Sequence, residues 1–242
     1  MLEAGSLRSA KEVVPVLMKL VSSPRHVIDV GCGVGTWLSV FLEYGVNEVI
    51  GIDGDYINQQ MLRIPEKCFM PHDLTKPLSL EKKFDLVLSL EVAEHSPDKY
   101  ADLFVNNLTG LGSVIVFSAA IPFQGGENHV NEQWPNYWIE LFQKRDYVAI
   151  DCLRDKIWNN ENVEPWYAQN IILFAQEANL NNYPYLVQEY SSSQKTIQTK
   201  IHPRLWLAAH NPHGQSLKKV IKALPFSIRN AAKHSIARML KI

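Results

Sequence analysis

Cysteine is scarce in this chain, with three in 242 residues, Cys32, Cys68 and Cys152, widely separated and without the close pairing of a metal-binding spacing. Neither a disulfide framework nor a thiolate metal site is expected, and the three read as small core residues. No apolar run approaches the roughly 18 residues of a membrane span, and no charged-then-apolar leader opens the sequence. A cytoplasmic location is the expectation. There is no internal repeat and no low-complexity tract, which leaves an ordinary globular fold. Acidic residues are missing altogether beyond Glu189, whereas ten lysines and arginines follow it.

That asymmetry is hidden by a net charge of -1, because residues 1–189 carry 14 basic and 25 acidic groups. The basic tail is expected to meet an anionic partner, a membrane surface or the acidic body itself. Specific nucleic-acid recognition is not expected, since no RNA-binding module accompanies the charge. Hydrophobic residues make up 46% of the chain and charged residues 20%. That is enough apolar material for one full core with an appendage.

The organising stretch is Val27-Ile28-Asp29-Val30-Gly31-Cys32-Gly33-Val34-Gly35-Thr36-Trp37-Leu38. An apolar strand runs into three glycines spaced two apart, and a helical pattern with Trp37, Leu38, Phe41 and Leu42 on one face follows. A turn of this kind lets a ligand approach the backbone and admits positive φ. It also turns the first amides of the helix toward a crevice above the strand ends. A dinucleotide fingerprint would put its third glycine five residues after the first, so a nicotinamide dehydrogenase is disfavoured. Ile50-Gly51-Ile52-Asp53 closes a second strand and places a carboxylate where a ribose offers two hydroxyls.

On these residues the chain resembles the class I S-adenosylmethionine-dependent methyltransferases, whose first motif has the form D-x-G-x-G-x-G. The resemblance covers roughly residues 25 to 176. It implies a Rossmann-like, doubly wound α/β fold with a seven-stranded sheet in the order 3-2-1-4-5-7-6, the last strand antiparallel. It implies S-adenosyl-L-methionine as cofactor, with Asp29, Gly31, Gly33, Gly35, Asp53, Asp73, Leu74 and Leu90 around it. Within that set Asp73 would meet the adenine amino group, although a turn or cap aspartate is the competing reading.

The remaining elements follow from pattern. Helices are expected from Ser9 to Val21, Gly35 to Tyr44, Asp55 to Leu62, Pro97 to Leu108 with a Ser96 cap, and Trp134 to Lys144. Strands are expected at Glu48–Asp53, around Cys68, at Phe84–Leu90, Ser113–Ser118, Tyr147–Leu153 and Ala168–Ala175, the last two with no helix between them. The aromatics of the stretch 155–167, Trp158, Trp166 and Tyr167, either cover the sheet's edge or form a ligand platform. A methyltransferase domain over residues 1–178 and a basic extension over 179–242 complete the division. Short amphipathic helices are expected at Ser216–Leu224 and Ser227–Leu240.

Two loops carry the candidate chemistry. Glu91, Glu94 and His95 follow the fourth strand, and His129, Asn131 and Glu132 lie in a long loop after the fifth, beside it in this topology. A hydroxyl acceptor must lose its proton as the methyl bond forms, and His95, His129 or Glu94 could serve. The set also resembles the metal site of the ubiquinone-pathway and small-RNA O-methyltransferases. That resemblance implies Glu91, Glu94, His95 and His129 as ligands for Mg²⁺ or another divalent metal. Metal-free members share E-V-x-E-H, with the His near the substrate, and loop capping is a third reading. The run Gly125 to Pro135 further resembles loops of surface-glycan methyltransferases. A hydroxyl of a glycan or related small molecule is therefore the expected acceptor; a quinone precursor, an RNA 2'-hydroxyl or a non-catalytic cofactor-binding scaffold are the alternatives.

Overall fold

The computed structural model describes residues 2–192 and 197–210. In chain order the elements are α1 (Leu2–Leu20), β1 (His26–Val30), α2 (Thr36–Glu43), β2 (Glu48–Asp53), β3 (Phe69–Pro71), β4 (Leu86–Leu90) and α3 (Ala101–Leu111). They continue with β5 (Val114–Ser118), α4 (Pro135–Gln143), β6 (Tyr147–Ile150), α5 (Arg154–Ile157), α6 (Pro165–Asn170), β7 (Ile172–Gln176), α7 (Pro184–Ser192) and α8 (Pro203–His210). The sheet order is β3-β2-β1-β4-β5-β7-β6, as the resemblance implies. Strands β1 to β5 pair in parallel, and β7 runs antiparallel to both β5 and β6.

Both faces of the sheet are apolar because both are covered. Val27, Leu86, Leu88, Val114 and Val116 belong to the core layer that includes Val13, Val14 and Leu17 of α1 and Phe41 of α2. Their neighbours one residue along, Ile28, Val87, Ile115 and Phe117, belong to the layer that includes Phe104 and Leu108 of α3 and Trp138 and Phe142 of α4. The chain leaves β1 toward β2 on one side and reaches β4 on the other. The crevice beyond the strand ends opens at that reversal.

Several expected boundaries are corrected. Asp55–Leu62 is not a helix but a loop containing one 3-10 turn, Gln59–Met61, started by Asn58 whose side chain accepts from Gln60 N. Its residues bury no apolar face, so nothing extends the turn. The helix expected from Pro97 begins as a 3-10 turn and becomes α-helical only at Ala101, with no side-chain cap, and it passes through Gly110 to Leu111. Helices α5 and α6 stand between β6 and β7, where a direct strand-to-strand passage is expected from the sequence. Ala168, Gln169 and Asn170, read as strand, close α6. The chain divides between His202 and Pro203 into two compact units. The amphipathic helices expected beyond residue 215 lie outside the described residues. Among the described residues no helix is long and apolar enough to cross a membrane.

Candidate active site

The glycine turn forms where β1 ends. Its amides are consumed in order: Gly31 N and Cys32 N donate to Ile52 O, and Gly35 N donates to Cys32 O. Gly31 sits at φ +87°, and a β-carbon there would fall 2.3 Å from Val92. Gly33 sits at φ +55° with open space where its β-carbon would be. Left-handed backbone requires glycine at both, and at Gly33 the bare backbone also faces room for a ligand.

That room is a cleft of about 210 Å³ lined by Asp29, the turn, Thr36, Trp37, Leu90 and Tyr167, with Glu3 and Ser6 of α1 at its rim. Asp29 is 2% exposed. Burial, reinforced by Asp53, pushes its carboxyl up to about 7. Asp53 closes β2 beside the turn, where Oδ2 accepts from Gly33 N at 2.7 Å. Its Oδ1 accepts from Gly54 N at 2.7 Å and Tyr56 OH at 2.6 Å. The structure therefore brings Asp29, Gly31, Gly33 and Leu90 together along the cleft, with Gly35 at the end of the turn and Asp53 tied to it through Gly33 N. Asp73 stands in its own turn, where Oδ1 accepts from Thr75 N at 2.9 Å and Thr75 Oγ1 at 2.6 Å. Those bonds hold its carboxyl below the usual range. Leu74 packs on the core layer of α3 and α4. Neither residue lines the cleft.

Seven lining residues have no place in the sequence-based set: Cys32, Val34 and Thr36 of the turn and its helix, and Glu3, Ser6, Trp37 and Tyr167. Tyr167 OH pairs with Ser6 Oγ at 3.1 Å, and its ring meets Trp37 edge-on at 5.1 Å. Trp37 Nε1 is buried with no hydrogen-bond partner among the described residues. Trp37 reads in sequence only as part of a helical apolar stripe. Tyr167 belongs to the aromatic segment read as edge cover or platform, and it is buried and faces the ligand space.

The second cluster lies on the two loops expected to adjoin. They are joined by backbone, since Glu94 O accepts from Val130 N at 2.9 Å and Asn131 N at 3.0 Å. Glu94, His95 and His129 each present a ligand atom within 4.8 Å of the others. The imidazoles meet edge-on, with centroids 4.9 Å apart. Glu94 is fully buried, yet neither carboxyl oxygen has a hydrogen-bond partner. The backbone N–H groups of Glu94 and Ala120 favour its charged form, by less than burial opposes it. Burial, with the neighbouring Glu91 charge, pushes the group up to about 9. His95 is shifted down, first by burial and then by His129.

Glu91 does not join this cluster. It sits at φ +56°, and its carboxylate accepts from Asn170 Nδ2 at 3.0 Å and Gln124 Nε2 at 3.1 Å. In this structure its carboxylate lies in an amide cradle formed by Asn170 and Gln124, which sequence spacing alone cannot reveal. A buried carboxyl without a partner is costly. One carboxylate with two imidazoles is a donor set for a divalent cation, so the three side chains fit such an ion.

A parallel-sheet crevice with an acidic second-strand end and a glycine turn is the frame of a methyltransferase. The family model described as "Methyltransferase domain" matches residues 7–145, more than half the chain, and the chain belongs to that family. It is an S-adenosylmethionine-dependent methyltransferase. Among solved structures the fold is similar to magnesium protoporphyrin IX methyltransferase (ChlM) from Synechocystis PCC 6803 with bound SAH. That match has a TM-score of 0.53 and 18% identity, over 72% of this chain and 84% of that one. The methyltransferase domain of bacterial CtHen1 gives 0.52 and 18%, over 69% and 97%. Streptomyces venezuelae DesVI gives 0.52 and 12%, over 71% and 92%. No curated protein matches the sequence.

Proposed function

We propose that the chain transfers the methyl group of S-adenosylmethionine to a hydroxyl oxygen of a sugar or related small molecule. The observation that carries this reading is the buried, unpartnered carboxyl of Glu94 grouped with two imidazoles, on a loop that leaves β4 just after Leu90 of the cleft. The cofactor, when bound, supplies an activated methyl on a sulfonium, so the protein's task is alignment and removal of one proton. Gly33 leaves backbone open to the methionine end, and Asp53, held to the turn through Gly33 N, stands at the end of β2 where the ribose would lie. His95, its basicity lowered, is neutral near pH 7 and takes the acceptor's proton as the oxygen–carbon bond forms. Asn131, Gln133 and Trp134 supply polar and stacking groups suited to hydroxyls and apolar sugar faces.

The same orphaned carboxyl supports a second reading, in which Glu94, His95 and His129 hold a divalent cation. Such an ion lowers the pKa of a nearby hydroxyl. The test is a panel of methyl glycosides, nucleotide sugars and phenols, assayed with the cofactor in the presence of Mg²⁺, Mn²⁺ or chelator. Methylation of a sugar hydroxyl supports the first reading, and chelator-sensitive methylation adds the second. Cofactor binding with no acceptor methylated would favour a scaffold.

The ten basic residues beyond Glu189 support an anionic partner or membrane surface for the extension, in a cytoplasmic protein. Co-sedimentation with anionic and neutral vesicles tests this, with retention on the anionic ones alone expected.

A further inference from the structure

The hydrogen bonds that hold Glu91 continue through α6 to a distant part of the chain. Asn170, which donates to Glu91, also donates to Gln124 Oε1 at 2.9 Å. Gln169 Nε2 donates to Gln124 Oε1 at 2.9 Å and Asn170 Oδ1 at 3.0 Å. At its other end, Gln169 Oε1 accepts from the backbone N–H of His202 at 2.8 Å. Gln169 and Asn170 are buried, 2% and 4% exposed.

The run Ile197–His202 is gripped from a second side. Arg154 is fully buried and forks onto Asp151, at 2.8 Å and 2.5 Å. Its remaining N–H groups reach the carbonyls of Gln169 at 3.3 Å and Gln198 at 2.8 Å. His202 Nε2 meets Trp158 O at 2.8 Å, and Ile197 is buried in the core. Burying a guanidinium and two amides is favourable only when every group is satisfied, and such a network then fixes one arrangement. The arrangement fixed here is that of α6. Its first turn is tied to α1, where Glu164 N donates to Ser9 Oγ at 2.9 Å. Between these two anchors α6 delivers Tyr167 to the cleft and Asn170 to Glu91.

We propose that Ile197–His202 is a positioning strap for the methyltransferase site. Docked by Arg154 and Gln169, it sets α6, and through Tyr167 and Asn170 it sets the shape of the cofactor cleft and the pose of Glu91. The strap lies well beyond residue 145, where the family match ends, so this chain completes its site with a segment outside that match. The proposal rests on reading the cleft as the cofactor site.

Two substitutions in the full chain loosen the strap without altering a residue that lines the cleft. Gln169→Leu removes the amide's bonds to Gln124, Asn170 and His202, while His202→Ala keeps the backbone N–H and removes the imidazole anchor to Trp158. Hydrogen–deuterium exchange over residues 165–170 and 197–202 reads docking, calorimetry with S-adenosylhomocysteine reads the cleft, and thermal melting reads the global fold. The expected result is faster exchange in both segments and about tenfold weaker binding, the effect of one or two buried hydrogen bonds. Melting stays cooperative. Faster exchange with unchanged affinity overturns the proposal, as does a strap already unprotected in the parent. No binding by the parent, with the strap protected, would instead sink the cofactor reading.

Discussion

Glu132 Oε1 lies 3.0 Å from Nδ1 of His129. The same carboxylate accepts from Gly125 N and Phe123 N, each at 2.8 Å. One side chain thus orients the imidazole and shapes the loop that carries it. With Nδ1–H directed at Glu132, Nε2 is the nitrogen left for a proton or a cation, the arrangement by which a carboxylate behind a histidine tunes it. Gly126 completes the fit, because a β-carbon there would fall 2.2 Å from that Nε2.

If Glu132 supports a metal-binding His129, Glu132→Gln weakens divalent-ion affinity by about 10- to 100-fold. Mn²⁺ titration followed by electron paramagnetic resonance measures it. His129→Ala should abolish the same binding while leaving S-adenosylhomocysteine affinity unchanged. Metal binding and methyl transfer that match the parent's would remove His129 from the ligand set.

Glu94 makes stability depend on pH. Its carboxyl rises from 4.5 to about 9 on folding, so the folded state keeps a proton that the unfolded state releases. Stability is therefore greatest below the unfolded value and falls as pH climbs toward the folded one. Glu94→Gln removes that slope. In urea unfolding at pH 8.5 without metal, the variant should exceed the parent by about 2 kcal/mol, the scale of an unsatisfied buried polar group. Methyl transfer should be lost in the same variant.

Cation uptake should release a proton. A carboxyl pushed up to about 9 is protonated at pH 7.5 and must ionise to bind a metal. Calorimetry with Mn²⁺ in buffers of different ionisation enthalpy should show heats that scale with the buffer. Buffer-independent heats would mean that Glu94 does not take part.

Rate should fall on the acid side because His95 must be neutral to accept a proton. Burial and His129 lower its pKa, so the acid limb is expected below the ordinary value of 6.5. A limb above that value, measured once an acceptor is found, would contradict His95 as base.

Much of this architecture was legible in the sequence because its signals are local. The apolar runs of β1, β4 and β5 and the spacing of Gly31, Gly33 and Gly35 depend on residues a few positions apart. Glu94, His95 and His129 could be grouped because the topology puts the loops after β4 and β5 side by side. Glu91 could not be separated from them, since its partners Asn170 and Gln124 lie 79 and 33 residues away. Gln169 and Asn170 were hidden for a related reason. Their polarity answers Glu91, Gln124 and His202, while the apolar run just after them resembles the start of a strand. Asp73 shows the opposite case, a family position whose oxygen is taken by Thr75 two residues on.

The most direct check is a calorimetric titration of the chain with S-adenosylhomocysteine, repeated on Gly33→Ala. The turn at Gly33 is left-handed, so the alanine costs about 1 kcal/mol in stability, and its methyl enters the space reserved for the ligand. The expected result is saturable one-to-one binding by the parent and its loss in the still-folded variant. No saturable binding by the parent, or binding that survives the substitution unchanged, would contradict a cofactor seated on the glycine turn.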